Sequence, residues 1–174
     1  MCARAASPGG HNYDRENIPA ILFVCTANQV RSPIAAAIFN QIQPVRFKAE
    51  SAGTWTKSGL ELAPFALRLA ERIGVDLAGF RTTSIEDVDL SSYRQILVME
   101  CGHQEALTLE FPHLKDRICL LTAFAGLHPS DIPDPVKYDL PTAVGILTDM
   151  QDCVQRAAER LNSGNAILFA QNYY

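Results

Sequence analysis

The sequence predicts an α/β protein in which helices cover both faces of a parallel sheet. Short, continuous apolar runs, which are typical of strands buried on both faces, alternate along the chain with stretches of helical apolar spacing. The length of 174 residues suits one compact domain, and the content of 48% hydrophobic and 20% charged residues is typical of a globular protein. No internal repeat or linker divides the chain, so we expect one three-layer domain.

The first half of the chain contains two predicted strands with a helix between them. Residues 20–24 form a continuous apolar run and are the first predicted strand. The helix that follows has Ser32 as its predicted N-cap and Pro33 in its first turn, and it is expected to end before Pro44. Residues 45–51 are the second predicted strand.

The middle of the chain continues this alternation. Pro64 begins the next predicted helix and Gly74 ends it. A third buried strand is predicted at 96–99, followed by a short helix that runs through Leu107. The fourth strand is predicted at 118–121, which completes a sheet of the α/β type.

The last part of the chain is predicted to be a long loop and a long helix. Four prolines and little periodicity predict a loop over 123–141. Apolar residues recur at helical spacing over 143–161, and Gly164 is expected to end that helix. Residues 167–169 are expected to form an edge strand or a packed tail.

Composition and charge exclude several classes of protein. The chain has 15 basic and 19 acidic residues, and the formal net charge of −4 argues against a nucleic-acid-binding protein. No apolar run approaches the ~20 residues that span a bilayer, so no membrane association is expected. Residues 1–17 are polar and are expected to be a flexible leader without the apolar core of a signal peptide. We therefore expect a cytoplasmic protein.

One of the five cysteines has the neighbours of a reactive thiol. An odd number of cysteines without a CxxC pair predicts free thiols rather than a disulfide framework or a zinc site. Cys25 ends the first strand, and Arg31 follows after five intervening residues, at a helix N-terminus. Such a loop can direct successive backbone N–H groups at one centre, and an arginine there can bind two oxygens of a phosphate. The same positive surroundings favour the thiolate form of Cys25, so the sequence predicts an anion site beside a nucleophile.

This pattern resembles the low-molecular-weight protein-tyrosine phosphatase family. The resemblance rests on four segments in the family's order, namely Cys25 to Pro33, Ser51 to Thr54, Ile96 to Met99 and Asp134-Pro135. It covers 18–162, which would be the phosphatase domain, and leaves 163–174 as a C-terminal extension. The resemblance implies a flavodoxin-like fold with a four-stranded parallel sheet in the order 2-1-3-4. It also implies hydrolysis of phosphate monoesters through a phosphocysteine intermediate, with no metal and no cofactor.

The resemblance also implies a role for individual residues. Cys25 would be the nucleophile, Arg31 would hold the phosphate, and Asp134 would be the general acid. Asn28 would brace the loop, and Ser32 would stabilise the thiolate when it leaves. The other loop positions that would bind phosphate are Thr26, Ala27, Gln29 and Val30.

The substrate would be a phosphorylated protein or a small phosphomonoester. Trp55 is near the place where the family has an aromatic wall for the substrate ring. Among the other carboxylates of the long loop, Asp131 and Asp139 are the nearest rivals of Asp134 for the role of acid.

The sequence departs from the family pattern in three places. Ala27 replaces a common glycine, which would cost about 1 kcal/mol if the backbone there needs a positive φ. Val30 replaces a second loop cysteine, so a protective disulfide with Cys25 cannot form in the loop. Val136 and Lys137 replace tyrosines, which weakens the case for phosphotyrosine as the substrate.

Three alternative functions stay open at the level of sequence. An arsenate reductase of the same fold would need a relay of cysteines, but Thr108 stands where the partner of Cys101 is expected and Cys119 is a distant substitute. A catalytically inactive chain that binds phosphate or phosphopeptides would bind tightly without turnover.

A metallohydrolase is the third alternative. It could draw on His128, Asp131 and Asp134, but no HxH or HExxH spacing supports it.

Overall fold

The computed structural model describes residues 19–42 and 47–163. Four strands form one parallel sheet in the order β2-β1-β3-β4, which confirms the predicted order. The strands are β1 (Pro19–Cys25), β2 (Lys48–Gly53), β3 (Gln95–Val98) and β4 (Ile118–Leu120). The α-helices are α1 (Arg31–Ile42), α2 (Pro64–Arg72), α3 (Cys101–Glu110), α4 (Leu121–Phe124) and α5 (Leu140–Asn162). Short 3₁₀ helices span Ile85–Asp87, Leu90–Ser92, Pro112–Arg117 and Pro135–Lys137.

The sheet separates two apolar cores, as expected for strands buried on both faces. Along β1, Ile21 and Phe23 point into the core that contains α1, α2 and α5, whereas Leu22 and Val24 point into the core beneath α3. This alternation follows from the period of two residues in a strand, and it explains why the run is apolar at every position.

The parallel register brings the carboxyl ends of the three neighbouring strands to one edge of the sheet. Cys25 at the end of β1 is paired with Gly53 at the end of β2. On the other side of β1, Val24 is paired with Val98 of β3, and the Met99 amide donates to the Val24 carbonyl at 3.1 Å. The segments that follow β1, β2 and β3 therefore start next to one another.

The structure corrects two expectations about helix starts. Helix α1 begins at Arg31, so Ser32 lies in the first turn and is not the N-cap, which leaves its hydroxyl free to face the preceding loop. Helix α5 begins at Leu140 rather than 143, because the Asp139 carboxylate accepts the Thr142 amide at 3.2 Å and caps the helix.

The segment predicted as a loop over 123–141 is not irregular throughout. It contains the end of α4 and the 3₁₀ turn Pro135–Lys137. The expectations for 1–17 and 167–169 lie outside the described residues. Among the helices that are described, none has the length and apolar character needed to cross a membrane.

Candidate active site

The loop between β1 and α1 has one residue in the left-handed region of the backbone. Asn28 has φ 52°, and no other non-glycine residue in 19–42 or 47–163 has a positive φ. Asparagine tolerates this conformation better than most residues do. The Ala27 backbone does not have a positive φ, so alanine at that position does not carry the conformational cost of about 1 kcal/mol that a positive φ would impose.

The Asn28 side chain joins the loop to three other segments. It is fully buried, and its Nδ2 donates to Ser32 Oγ and to Ser51 Oγ, both at 2.9 Å. Its Oδ1 accepts the Thr83 amide at 2.8 Å. The amide group thus holds the loop to the start of α1, to β2 and to the segment at Thr83.

Gly53 allows the end of β2 to lie directly against the loop. A Cβ atom at this position would be 2.8 Å from the Thr26 carbonyl oxygen and 2.9 Å from the Asn28 nitrogen, which is closer than such atoms can approach. The chain after Gly53 is bonded to the loop, since the amide of Thr54 donates to the Cys25 carbonyl and that of Trp55 to the Thr26 carbonyl. The family segment Ser51 to Thr54 is therefore part of the support of the loop.

The Cys25 thiol and the Ser32 hydroxyl are in hydrogen-bond contact. Sγ and Oγ are 3.0 Å apart, and Ser32 Oγ also lies 3.2 Å from the Ala52 carbonyl oxygen. While Cys25 is a thiol, the Ser32 hydroxyl can donate its hydrogen bond to the Ala52 carbonyl oxygen. When the sulfur is a thiolate, the hydroxyl can rotate and donate its hydrogen bond to the sulfur, which stabilises the negative charge.

The Arg31 side chain is buried, and it is held by two carboxylates. Its exposed fraction is 3%, and Nη1 binds the Glu100 carboxylate and donates to the Ile132 carbonyl at 2.9 Å. Nη2 lies 3.9 Å from Asp134 Oδ2. Arg31 therefore points away from bulk water and towards the segments that follow β3 and precede α5.

Asp134 is placed at the site, and its two rivals have other contacts. Its Oδ1 accepts the Val136 amide at 3.3 Å, which caps the 3₁₀ turn and fixes the carboxylate near Arg31. Asp131 accepts the Cys101 amide at 2.7 Å, and Asp139 caps α5. The hydrogen bonds from Thr142 hold the pKa of the Asp139 carboxyl below its usual range, which does not suit an acid catalyst.

These side chains line a cavity of about 630 Å³. Seven residues singled out from the sequence line it, namely Cys25, Thr26, Ala27, Gln29, Val30, Arg31 and Asp134. Val136 and Lys137, noted as departures from the family, line it as well. Asn28 and Ser32 lie behind the loop and support it.

Trp55 is not one of the lining residues of this cavity. Its side chain is 85% exposed, although its amide is bonded to the loop at 2.8 Å. The aromatic side chain in the cavity wall is that of Phe65 on α2.

The sequence reasoning missed several residues that meet the loop from distant segments. The additional lining residues are Glu61, Ala63, Phe65, Ala66 and Glu100. The Gln29 side-chain amide is bonded to this wall, since its Nε2 donates to the Glu61 carbonyl at 3.2 Å and its Oε1 accepts the Ala63 amide at 2.8 Å.

His103 also contacts the loop, through Nε2 and Thr26 Oγ1 at 3.0 Å. Burial is the main cause that lowers the pKa of this imidazole below its usual value. Glu100 and His103 follow β3, so the order 2-1-3-4 points to this segment as a neighbour of the loop, but it does not indicate which of its side chains contact the loop.

The two cysteines considered for an arsenate reductase relay have surroundings that do not favour reactive thiolates. Cys101 is exposed, and hydrogen bonding with Asp131 raises the pKa of its thiol. Cys119 lies on β4, and burial raises its pKa to about 11. Within the described part of the chain, no cluster of three or more His, Cys, Asp or Glu side chains could hold a metal ion.

Comparison with known proteins gives one consistent result. The family model for low molecular weight phosphotyrosine protein phosphatase matches residues 20–166. The chain is 29% identical over 143 residues to a protein-arginine-phosphatase of Geobacillus stearothermophilus, covering 82% of this chain and 96% of that one.

Two solved structures extend the likeness to the fold. The YwlE arginine phosphatase from G. stearothermophilus matches with a TM-score of 0.75 at 26% identity, covering 90% of this chain and 98% of that one. The tyrosine phosphatase Wzb from Escherichia coli K30, solved in complex with sulphate, matches with a TM-score of 0.74 at 28% identity, covering 83% and 99%. The matches favour a phosphatase over an arsenate reductase, and the chain belongs to the low molecular weight phosphotyrosine protein phosphatase family.

Proposed function

We propose that this protein hydrolyses phosphorylated protein side chains through a phosphocysteine formed on Cys25. The observation that carries the proposal is the meeting of Cys25, Arg31 and Asp134 in one cavity. A nucleophile, a cation for the phosphoryl oxygens and a carboxyl group are the three parts that this reaction needs.

In the first step, the Cys25 sulfur attacks phosphorus while the bond from phosphorus to the leaving group breaks. Asp134, protonated at this stage, gives its proton to the departing atom. Arg31 lies at the N-terminus of α1, where its guanidinium can bind two phosphoryl oxygens in exchange for its contacts with Glu100 and Asp134.

In the second step, water attacks phosphorus and the bond between sulfur and phosphorus breaks. The Asp134 carboxylate takes the proton from the water, and phosphate is released. Ser32 Oγ, at 3.0 Å from the sulfur, donates a hydrogen bond that stabilises the leaving thiolate. Both steps use only residues of the cavity and its supporting loop.

Phosphotyrosine fits the apolar part of the cavity. The side chains of Val30, Ala63, Phe65, Ala66 and Val136 provide an apolar wall on which an aryl ring can pack. Phosphoarginine is the second candidate, because Glu61 also lines the cavity and can attract a guanidinium leaving group in exchange for its exposed ion pair with Arg81 at 2.9 Å. The family's arginine phosphatases among the relatives support the same alternative.

The central test is the hydrolysis of p-nitrophenyl phosphate in the presence of EDTA. We expect turnover by the natural sequence, no turnover by Cys25→Ser, and retained binding of phosphate by that variant. Cys101→Ser, which removes an exposed thiol outside the cavity, is the matched control and should keep full activity. A measurable residual rate in Cys25→Ser would rule out covalent catalysis by this sulfur.

The substrate is tested with one peptide sequence that carries either phosphotyrosine or phosphoarginine. A higher kcat/KM for phosphotyrosine supports the aryl substrate, and the reverse order supports phosphoarginine. Glu61→Gln should lower kcat/KM for phosphoarginine and change that for phosphotyrosine little. A cytoplasmic location is part of the same proposal.

A further inference from the structure

His103 is a buried histidine whose two ring nitrogens have different surroundings. The residue is 8% exposed, and Nε2 lies 3.0 Å from Thr26 Oγ1 in the loop. Nδ1 is buried and has no hydrogen-bond partner among the described residues. Because buried polar atoms are nearly always paired, this asymmetry indicates which nitrogen carries the proton.

A proton on Nδ1 would leave a buried N–H without an acceptor, which is rare in proteins. A proton on Nε2 instead satisfies the N–H through Thr26 Oγ1 and leaves only a bare lone pair at Nδ1. The second tautomer is the less costly one. In it, His103 donates and the Thr26 oxygen accepts.

Burial keeps the His103 ring neutral in spite of two carboxylates near it. Glu100 at the start of α3 and Asp131 of the loop before α5 both favour the protonated ring, whereas Arg31 of α1 opposes it. Burial opposes it more strongly than any of these groups, so the pKa of His103 is lowered and the ring is neutral at neutral pH.

We propose that His103 is a positioning residue that makes the Thr26 hydroxyl a donor to the phosphoryl group. Since Thr26 Oγ1 accepts from Nε2, its own proton is directed away from His103. Thr26 lines the cavity and follows Cys25 directly in the chain, so this proton is available to a phosphoryl oxygen there. The proposal rests on the proposed function for the ligand that it names, an oxyanion bound by the loop.

The test measures the affinity for inorganic phosphate by calorimetry, which does not depend on turnover. His103→Leu removes the donor and should weaken phosphate binding about five- to tenfold, the loss of one net hydrogen bond. His103→Gln keeps an N–H donor and should bind within about twofold of the natural sequence. His113→Leu, at an exposed histidine in the 3₁₀ helix Pro112–Arg117, is the matched control and should bind unchanged.

A double-mutant cycle with Thr26→Val separates this role from a purely structural one. If His103 acts through the hydroxyl, the double variant His103→Leu/Thr26→Val should bind phosphate no more weakly than Thr26→Val alone. Additive losses, or a His103→Leu variant that binds as the natural sequence does, would overturn the proposal. If the natural sequence binds phosphate but does not hydrolyse p-nitrophenyl phosphate, the proposed function fails while the cycle still decides the role of His103.

Discussion

Replacement of Asn28 by alanine should destabilise the protein and weaken its phosphate site. The change removes the donor bonds to Ser32 and Ser51 and the acceptor bond from Thr83, each worth about 1 kcal/mol net. It also places an alanine at φ 52°, which costs about 1 kcal/mol more. We expect Asn28→Ala to lower the free energy of unfolding by about 4 kcal/mol, a large part of the ~5–15 kcal/mol of a typical domain.

Two further variants separate the causes of this loss. Asn28→Gly removes the same hydrogen bonds but accepts the positive φ, so it should be about 1 kcal/mol more stable than Asn28→Ala. Asn40→Ala is the matched control, because the Asn40 side chain also makes two hydrogen bonds, both to the Ala49 backbone and far from the cavity. It should lose stability and keep its affinity for phosphate.

Urea unfolding followed by circular dichroism gives the stabilities, and calorimetry gives the affinity for phosphate. A loss below about 1 kcal/mol in Asn28→Ala would refute the reasoning that this network holds the loop. Equal stabilities of the alanine and glycine variants would refute the part that concerns the positive φ.

Three other outcomes are expected. Asp134→Asn should lower kcat by about 10² or more for phenyl phosphate, whose phenolate is a poor leaving group, and far less for p-nitrophenyl phosphate. Steady-state rates on the two substrates measure this difference, and an equal loss on both would mean that another residue is the acid. Gly53→Ala should lower kcat at least about tenfold, since its Cβ would lie 2.8 Å from the Thr26 carbonyl oxygen of the loop. The control is Gly145→Ala, on an exposed face of α5 with open space around it. It should leave kcat unchanged and stabilise the protein by about 0.5–1 kcal/mol in thermal unfolding. Iodoacetate at pH 6 should alkylate Cys25 before the described thiols whose pKa is raised, because these thiols keep their protons to higher pH. Peptide mass spectrometry will locate the label, and earlier labelling of one of these other thiols would contradict this order. The thiols with a raised pKa are Cys101, Cys119 and Cys153.

The strands of the sheet were predictable because their signals are local and strong, whereas their order was predictable only from the family resemblance. A strand buried on both faces is apolar at every position, as in Ile21 to Val24, and this pattern depends little on the rest of the chain. The helix starts were less predictable, since Ser32 and Asp139 are both good N-caps in sequence but only Asp139 acts as one. The choice depends on what else each side chain can bond, and Ser32 is bonded within the loop.

The aromatic side chain that lines the cavity could not be identified from the sequence. Trp55 lies close to the loop along the chain, whereas Phe65 of α2 lines the cavity. Distance along the sequence does not indicate which side of a backbone segment faces a cavity, because that depends on how α2 packs on the sheet.

By itself, the sequence determined the chemistry that Cys25 and Arg31 bring together. Both belong to one strand, loop and helix, so their separation depends on short-range geometry. Only the tertiary structure decided which groups surround them, above all Glu100 beside Arg31 and His103 beside Thr26. Those residues are about seventy positions away in the chain and arrive because β3 lies next to β1, a contact that long-range packing selects.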